Sequence, residues 1–128
     1  MNRFYMVFAL FIGLYTVSFS QEPQIQETKK ENQGILFFSN NGCGKCETSQ
    51  AFFEENDMPY TKYLVKENRP LMYEYVHQKT GGKNVGIGYP VIVYSDSIYF
   101  SIKNINTTLK EIKQMMISDG IIDSTGPK

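Results

Sequence analysis

The only two cysteines of the chain stand three residues apart in Cys43-Gly44-Lys45-Cys46. Thiol–disulfide exchange needs one thiolate to attack and a second thiol near enough to resolve the mixed disulfide. A spacing of three across the first turn of a helix brings two sulfurs within reach. The unpaired N–H groups and positive dipole end of that helix stabilise the thiolate of Cys43. Cys43 is therefore expected to be the more exposed sulfur, ionising below the ~8.5 of a free cysteine. Gly44 keeps the approach to Cys43 open for a protein or peptide. Lys45 adds a cation nearby and is placed with the substrate-binding residues; its bland alternative is to solvate the helix start.

Two other uses of the pair compete with exchange. A disulfide there would merely staple the turn, but so short a loop closes little chain entropy and adds little stability. Two thiolates are also half of a tetrahedral zinc site. The chain has a single histidine, His77, in the middle of a helical segment. Met115 and Met116 suit copper(I), yet their helical spacing with Ile112 points to the core. No metal is expected. A second anchor is Pro90 in Gly88-Tyr89-Pro90, ahead of an apolar run. Proline fits a central strand only at its first position, and an X–Pro bond is the one linkage that tolerates cis cheaply.

These residues need elements to hold them. Ile35-Leu36-Phe37-Phe38, bounded by Gly34 and by Ser39-Asn40-Asn41-Gly42, reads as a buried strand and a turn. Cys46 to Asn56 is helical, with Ala51, Phe52 and Phe53 on the apolar side; Phe37, Phe38, Phe52 and Phe53 are expected in the core. Pro59 to Val65 alternates as a second strand. Pro70 suits the first turn of a second helix that carries Met72, Tyr75 and Val76 and closes at Gly81-Gly82. Val91 to Tyr94, a turn at Ser95-Asp96 and the alternating Ile98, Phe100 and Ile102 form a hairpin. Thr108 with Glu111 is a capping box opening a last helix with Leu109, Ile112 and Met116 on one face. The order of elements predicts an α/β domain: a mixed sheet of about four strands covered by helices.

Outside that domain, Met1-Asn2-Arg3 precedes an apolar stretch from Phe4, and Ser18-Phe19-Ser20 fits the small-x-small rule for cleavage before Gln21. Residues 1–20 are expected to be a signal peptide; the alternative is an uncleaved anchor. Residues 21–33 are a polar linker, 34–120 the domain and 121–128 a tail. The protein is expected to be exported, periplasmic or secreted, where disulfides persist. After cleavage no stable membrane insertion is expected. Basic and acidic residues balance at 13 each, so there is no electrostatic footprint for nucleic acid.

Ile35-Leu36-Phe37-Phe38-Ser39, Cys43-Gly44-Lys45-Cys46 and Tyr89-Pro90-Val91-Ile92-Val93 together resemble the glutaredoxin branch of the thioredoxin-like superfamily. The likeness spans about residues 34–118. It implies a four-stranded mixed sheet flanked by three helices. It implies Cys43 as nucleophile, Cys46 as resolving thiol and Pro90 in cis facing them. The Tyr89 backbone would pair with a bound peptide or with glutathione. Gly88-Tyr89 stands where the family has Thr-Val. Ile102-Lys103-Asn104-Ile105-Asn106 stands where it has a glycine pair leading to an acidic residue. Asn40 and Asn41 replace a basic residue before the motif. No cofactor is expected, and these departures weigh against glutathione.

The resemblance implies a monomeric dithiol oxidoreductase exchanging disulfides with protein or peptide thiols and served by an upstream redox donor or acceptor. The rival is a non-catalytic module that holds a protein partner or a soft metal through the cysteine pair.

Overall fold

In the computed structural model, residues 34–125 are described. The expected signal peptide, the linker and the last residues of the tail lie outside them.

The chain runs β1 (Ile35–Ser39), α1 (Gly44–Glu55), β2 (Tyr60–Leu64), α2 (Val65–Thr80), β3 (Val91–Tyr94), β4 (Ser97–Tyr99) and α3 (Ile105–Ser118). Its strands form one sheet in the order β2-β1-β3-β4. β1 pairs parallel with β2, and β3 pairs antiparallel with both β1 and β4. This is the expected four-stranded mixed sheet with three helices.

β1 is central because it is apolar on both faces. Successive strand residues point to opposite sides, so Ile35 and Phe37 enter one core layer while Leu36 and Phe38 enter the other. β3 divides the same way: Ile92 and Tyr94 face the first layer, Val91 and Val93 the second. α1 and α3 close the first layer through Cys46, Phe53, Leu109, Ile112 and Met116. α2 closes the second through Val65, Met72 and Val76. Phe37 stands edge-on to Phe53 at 5.4 Å between ring centroids, the favoured aromatic geometry. Phe37, Phe38 and Phe53 are fully buried, and Phe52 is half-buried against the first layer.

Several local expectations are corrected. α1 starts at Gly44, so both the motif glycine and Lys45 already belong to the helix. β2 is trimmed to Tyr60–Leu64, because Val65 opens α2. α2 begins with one turn, kinks at Asn68 (φ −129°, ψ 26°) and resumes, so Pro70 sits in the first turn of its longer part. The Asn68 side-chain amide donates to the Leu64 carbonyl at 2.9 Å and so satisfies a helical carbonyl at the break. Gly81 ends α2 in the left-handed conformation at φ 66°, which costs glycine little.

β4 is only Ser97–Tyr99, shorter than the alternation of Ile98, Phe100 and Ile102 implies. The ladder ends at Tyr99, and Ser101, two residues on, takes φ 52°. α3 is capped by Asn104, not by a Thr108–Glu111 box. Asn104 Oδ1 accepts from the Thr107 N–H at 3.1 Å, and Thr108 lies within the helix, its hydroxyl donating back to the Asn104 carbonyl at 3.2 Å. Asparagine caps a helix at least as well as threonine.

The far end of the sheet is tied to α3 by the Tyr94 hydroxyl, which donates to Asp119 Oδ2 at 2.7 Å. Burial, then the Asp119 carboxylate, pushes the Tyr94 phenol up to about 12. An unfolded tyrosine ionises near ~10. The neutral phenol is thus favoured by folding, and its contribution is complete below pH ~10 and lost as pH rises through about 12. Urea midpoints followed from pH 8 to 12 should decline over that window, and Tyr94→Phe should flatten the decline. An unchanged decline in the variant would place the titration elsewhere.

Candidate functional site: a cysteine pair at a helix start

β1 runs out at Ser39 into the turn Asn40–Gly42, which delivers Cys43 to the start of α1. Cys43 is the N-cap, in extended conformation (φ −103°, ψ 107°). Its sulfur accepts from the Cys46 N–H at 3.1 Å. Its carbonyl accepts from the N–H groups of Cys46 and Glu47, each at 3.1 Å. A sulfur in the N-cap position thus does what a serine or aspartate oxygen normally does there. Negative charge on that sulfur would meet both an N–H donor and the positive end of α1.

Cys43 and Cys46 form a disulfide, with Cα atoms 5.2 Å apart, inside the usual range. The two sulfurs are not equivalent. Cys46 is 2% exposed and belongs to the core layer under α1, whereas Cys43 is half-buried at its edge. A partner approaching from solvent meets Cys43. Nothing lies within 4 Å of where a Gly44 side chain would begin, so the approach there is open.

The sheet register brings Pro90 to the same end. Val91 lies opposite Phe38, so Pro90 lies beside the exit of β1. The Tyr89–Pro90 peptide bond is cis. Tyr89 packs against both core layers, and Cys43 packs against the first of them. The Tyr89 N–H and C=O take no turn, loop or side-chain hydrogen bond among the described residues.

β4 is antiparallel to β3, so its exit, Phe100-Ser101-Ile102, arrives at this end too. The Lys45 ammonium reaches across and donates to the Ile102 carbonyl. Lys45 therefore ties the cysteine helix to the β4–α3 connection. The sequence marked Gly88 only as part of the Gly88-Tyr89-Pro90 run and gave no role to Ser101. Gly88 O accepts from the Ser101 N–H at 2.9 Å, and Gly88 N–H donates to Ser101 Oγ at 2.8 Å. A glycine before Tyr-Pro was the visible signal for the first; nothing in a lone serine announces the second.

His77 is exposed near the end of α2, against the ring of Tyr73, and α2 covers the opposite face of the sheet from the cysteines. Met116 is fully buried in the core, and Met115 is partly buried against the same layer. Among the described residues no three or more His, Cys, Asp and Glu side chains gather into a metal-sized group. No helix among the described residues is long and apolar enough to cross a membrane.

The displaced titrations lie away from the motif. Besides Tyr94, they are Glu54 and Tyr60, at the other end of α1. The Tyr60 hydroxyl donates to Glu54 Oε1 at 2.7 Å. That bond, then one from the Gln50 amide, holds the Glu54 carboxyl below its ordinary value. The same bond pushes the Tyr60 phenol up.

Chemically, the site offers a reducible disulfide with one approachable sulfur held by a helix start and one sheltered sulfur behind it. Comparison with family models, with curated proteins and with solved structures returned no match.

Proposed function

We propose that the protein is an exported dithiol oxidoreductase that exchanges disulfides with protein or peptide thiols. The observation that carries this is the Cys43–Cys46 disulfide at the N-terminus of α1, with the Cys43 sulfur on the Cys46 N–H and Cys46 buried behind it. In the reducing direction the Cys43 thiolate attacks one sulfur of a substrate disulfide. The substrate S–S bond breaks, a Cys43–substrate disulfide forms, and the other substrate sulfur leaves as a thiolate that takes up a proton. The Cys46 thiolate then attacks the Cys43 sulfur. That releases the second substrate thiol and leaves Cys43–Cys46 oxidised, two electrons having passed to the substrate. An upstream dithiol restores the pair. Run backward, the same steps oxidise a substrate dithiol.

A peptide, not glutathione, suits the surroundings as substrate. The open Tyr89 N–H and C=O can pair with an extended segment as an added strand. The loop that would hold glutathione's γ-glutamyl end in the resembling family has no glycine pair here, and its Asn104 is spent on capping α3. Export to an oxidising compartment agrees with a pair that persists as a disulfide.

Reduction of insulin by dithiothreitol, followed as turbidity, tests the reading. The protein should shorten the lag before precipitation at concentrations far below those of insulin. A lag equal to that of buffer alone would overturn it in favour of a non-catalytic module that holds a partner or a soft metal.

A further inference from the structure

We propose that Ser101 is a positioning residue that fastens the Gly86–Pro90 loop so that the Tyr89 backbone is presented to a peptide substrate. The inference rests on the exchange reading above and deepens it, since it concerns which disulfides the site accepts.

Three hydrogen bonds join Ser101 to that loop. Its N–H donates to the Gly88 carbonyl at 2.9 Å. Its Oγ accepts from the Gly88 N–H at 2.8 Å and donates to the Gly86 carbonyl at 3.3 Å. Both polar groups of Gly88 are thereby occupied, one residue before Tyr89. The two backbones lie so close that a side chain on Gly88 would begin 3.1 Å from Ser101 Cα.

Ser101 makes these bonds from φ 52°, a conformation unfavourable for a residue with a side chain. Glycine would adopt it freely, but glycine has no hydroxyl. A non-glycine residue in a sparsely populated conformation persists where its surroundings hold it, and here the hydroxyl is what Ser101 contributes.

The stretch leading into the fastened loop has little to order it, whereas Ile87 and Tyr89 within the loop pack against the core. Gly81 to Gly86 is exposed and without regular structure. An unrestrained loop would have to be ordered each time a substrate strand pairs with Tyr89, and that cost would come out of affinity. The next residue, Ile102, accepts the Lys45 ammonium. One short step of chain therefore fixes the Tyr89 loop and the cysteine helix with respect to each other. A peptide that pairs with Tyr89 depends on that arrangement, whereas a small disulfide that touches only Cys43 does not.

Ser101→Ala and Ser101→Gly test this together. Both remove the hydroxyl, but alanine keeps the unfavourable backbone conformation and glycine relieves it. The melting temperature should therefore fall in the alanine variant and hold or rise in the glycine variant. In both, KM for insulin should rise by about tenfold, the loss expected for two hydrogen bonds, with kcat little changed. The rate with dithiodipyridine, a small aromatic disulfide, should stay that of the unsubstituted protein.

An unchanged KM for insulin in either variant would overturn the inference. So would equal losses with both substrates, or a KM that follows the melting temperature. In all those cases the unsubstituted protein still turns over insulin, and the exchange reading stands. If the unsubstituted protein turns over neither substrate, the exchange reading falls and this inference with it.

Discussion

Reduced protein should be alkylated first, and almost solely, at Cys43. The rate should reach half its maximum below pH ~8.5, where an unperturbed thiol would. Two features produce this. The Cys43 sulfur accepts the Cys46 N–H at the head of α1, so the thiolate is favoured by both the donor and the helix dipole. Cys46 is 2% exposed, so reagent reaches it only when the helix start opens. Iodoacetamide labelling across pH, with peptide mapping by mass spectrometry, reads both the site and the profile. Labelling of Cys46 before Cys43 would reverse their roles. A midpoint at or above ~8.5 would show that the helix start does not activate the sulfur.

Phe53→Ala should be among the most damaging truncations on the cysteine helix. Phe53 is fully buried, edge-on to Phe37 at 5.4 Å and tilted against Tyr60 at 5.3 Å. Removing a buried phenylalanine side chain costs about 3–5 kcal/mol in transfer and cavity terms. A domain of this size is stable by about 5–15 kcal/mol, so the variant should remain folded in dilute buffer only narrowly. Phe52→Ala, on the half-buried neighbour, should cost clearly less. Urea denaturation of the two variants gives the comparison. Equal losses would mean that α1 is not anchored through Phe53. Because the same helix carries Cys46 two turns earlier, loss of this anchor should also make Cys46 accessible to alkylation.

The site was partly legible in the sequence, for reasons that differ by residue. Ile35 to Phe38 reads as a central strand because an apolar run bounded by turn formers is what two buried faces require. The cysteine spacing reads as a helix start because the chemistry needs both sulfurs on one turn. Pro90 reads as a strand opener because the ring leaves it no N–H for the ladder.

What escaped depends on competition between near-equal local choices. Asn104 and Thr108 are both good caps, and only the point at which β4 leaves the sheet decides between them. The side chain of Asn68 breaks α2 by bonding the Leu64 carbonyl, a contact that leaves no trace in hydrophobic periodicity. Lys45 reads as a cation beside a thiolate, yet its ammonium finds the Ile102 carbonyl, 57 residues away in sequence. Ser101 is legible only once its φ is known, since serine is an ordinary loop residue in any other conformation.

The most direct test of dithiol exchange through Cys43 is to mix reduced Cys46→Ser protein with a peptide disulfide and analyse the product without reductant. Cys43 should attack, one peptide chain should leave as a thiol, and the other should remain bound, because the serine hydroxyl cannot resolve the mixed disulfide. Mass spectrometry should find one peptide chain per protein, joined at Cys43 and released by dithiothreitol. An absence of any adduct while Cys43 is demonstrably reduced would contradict the account.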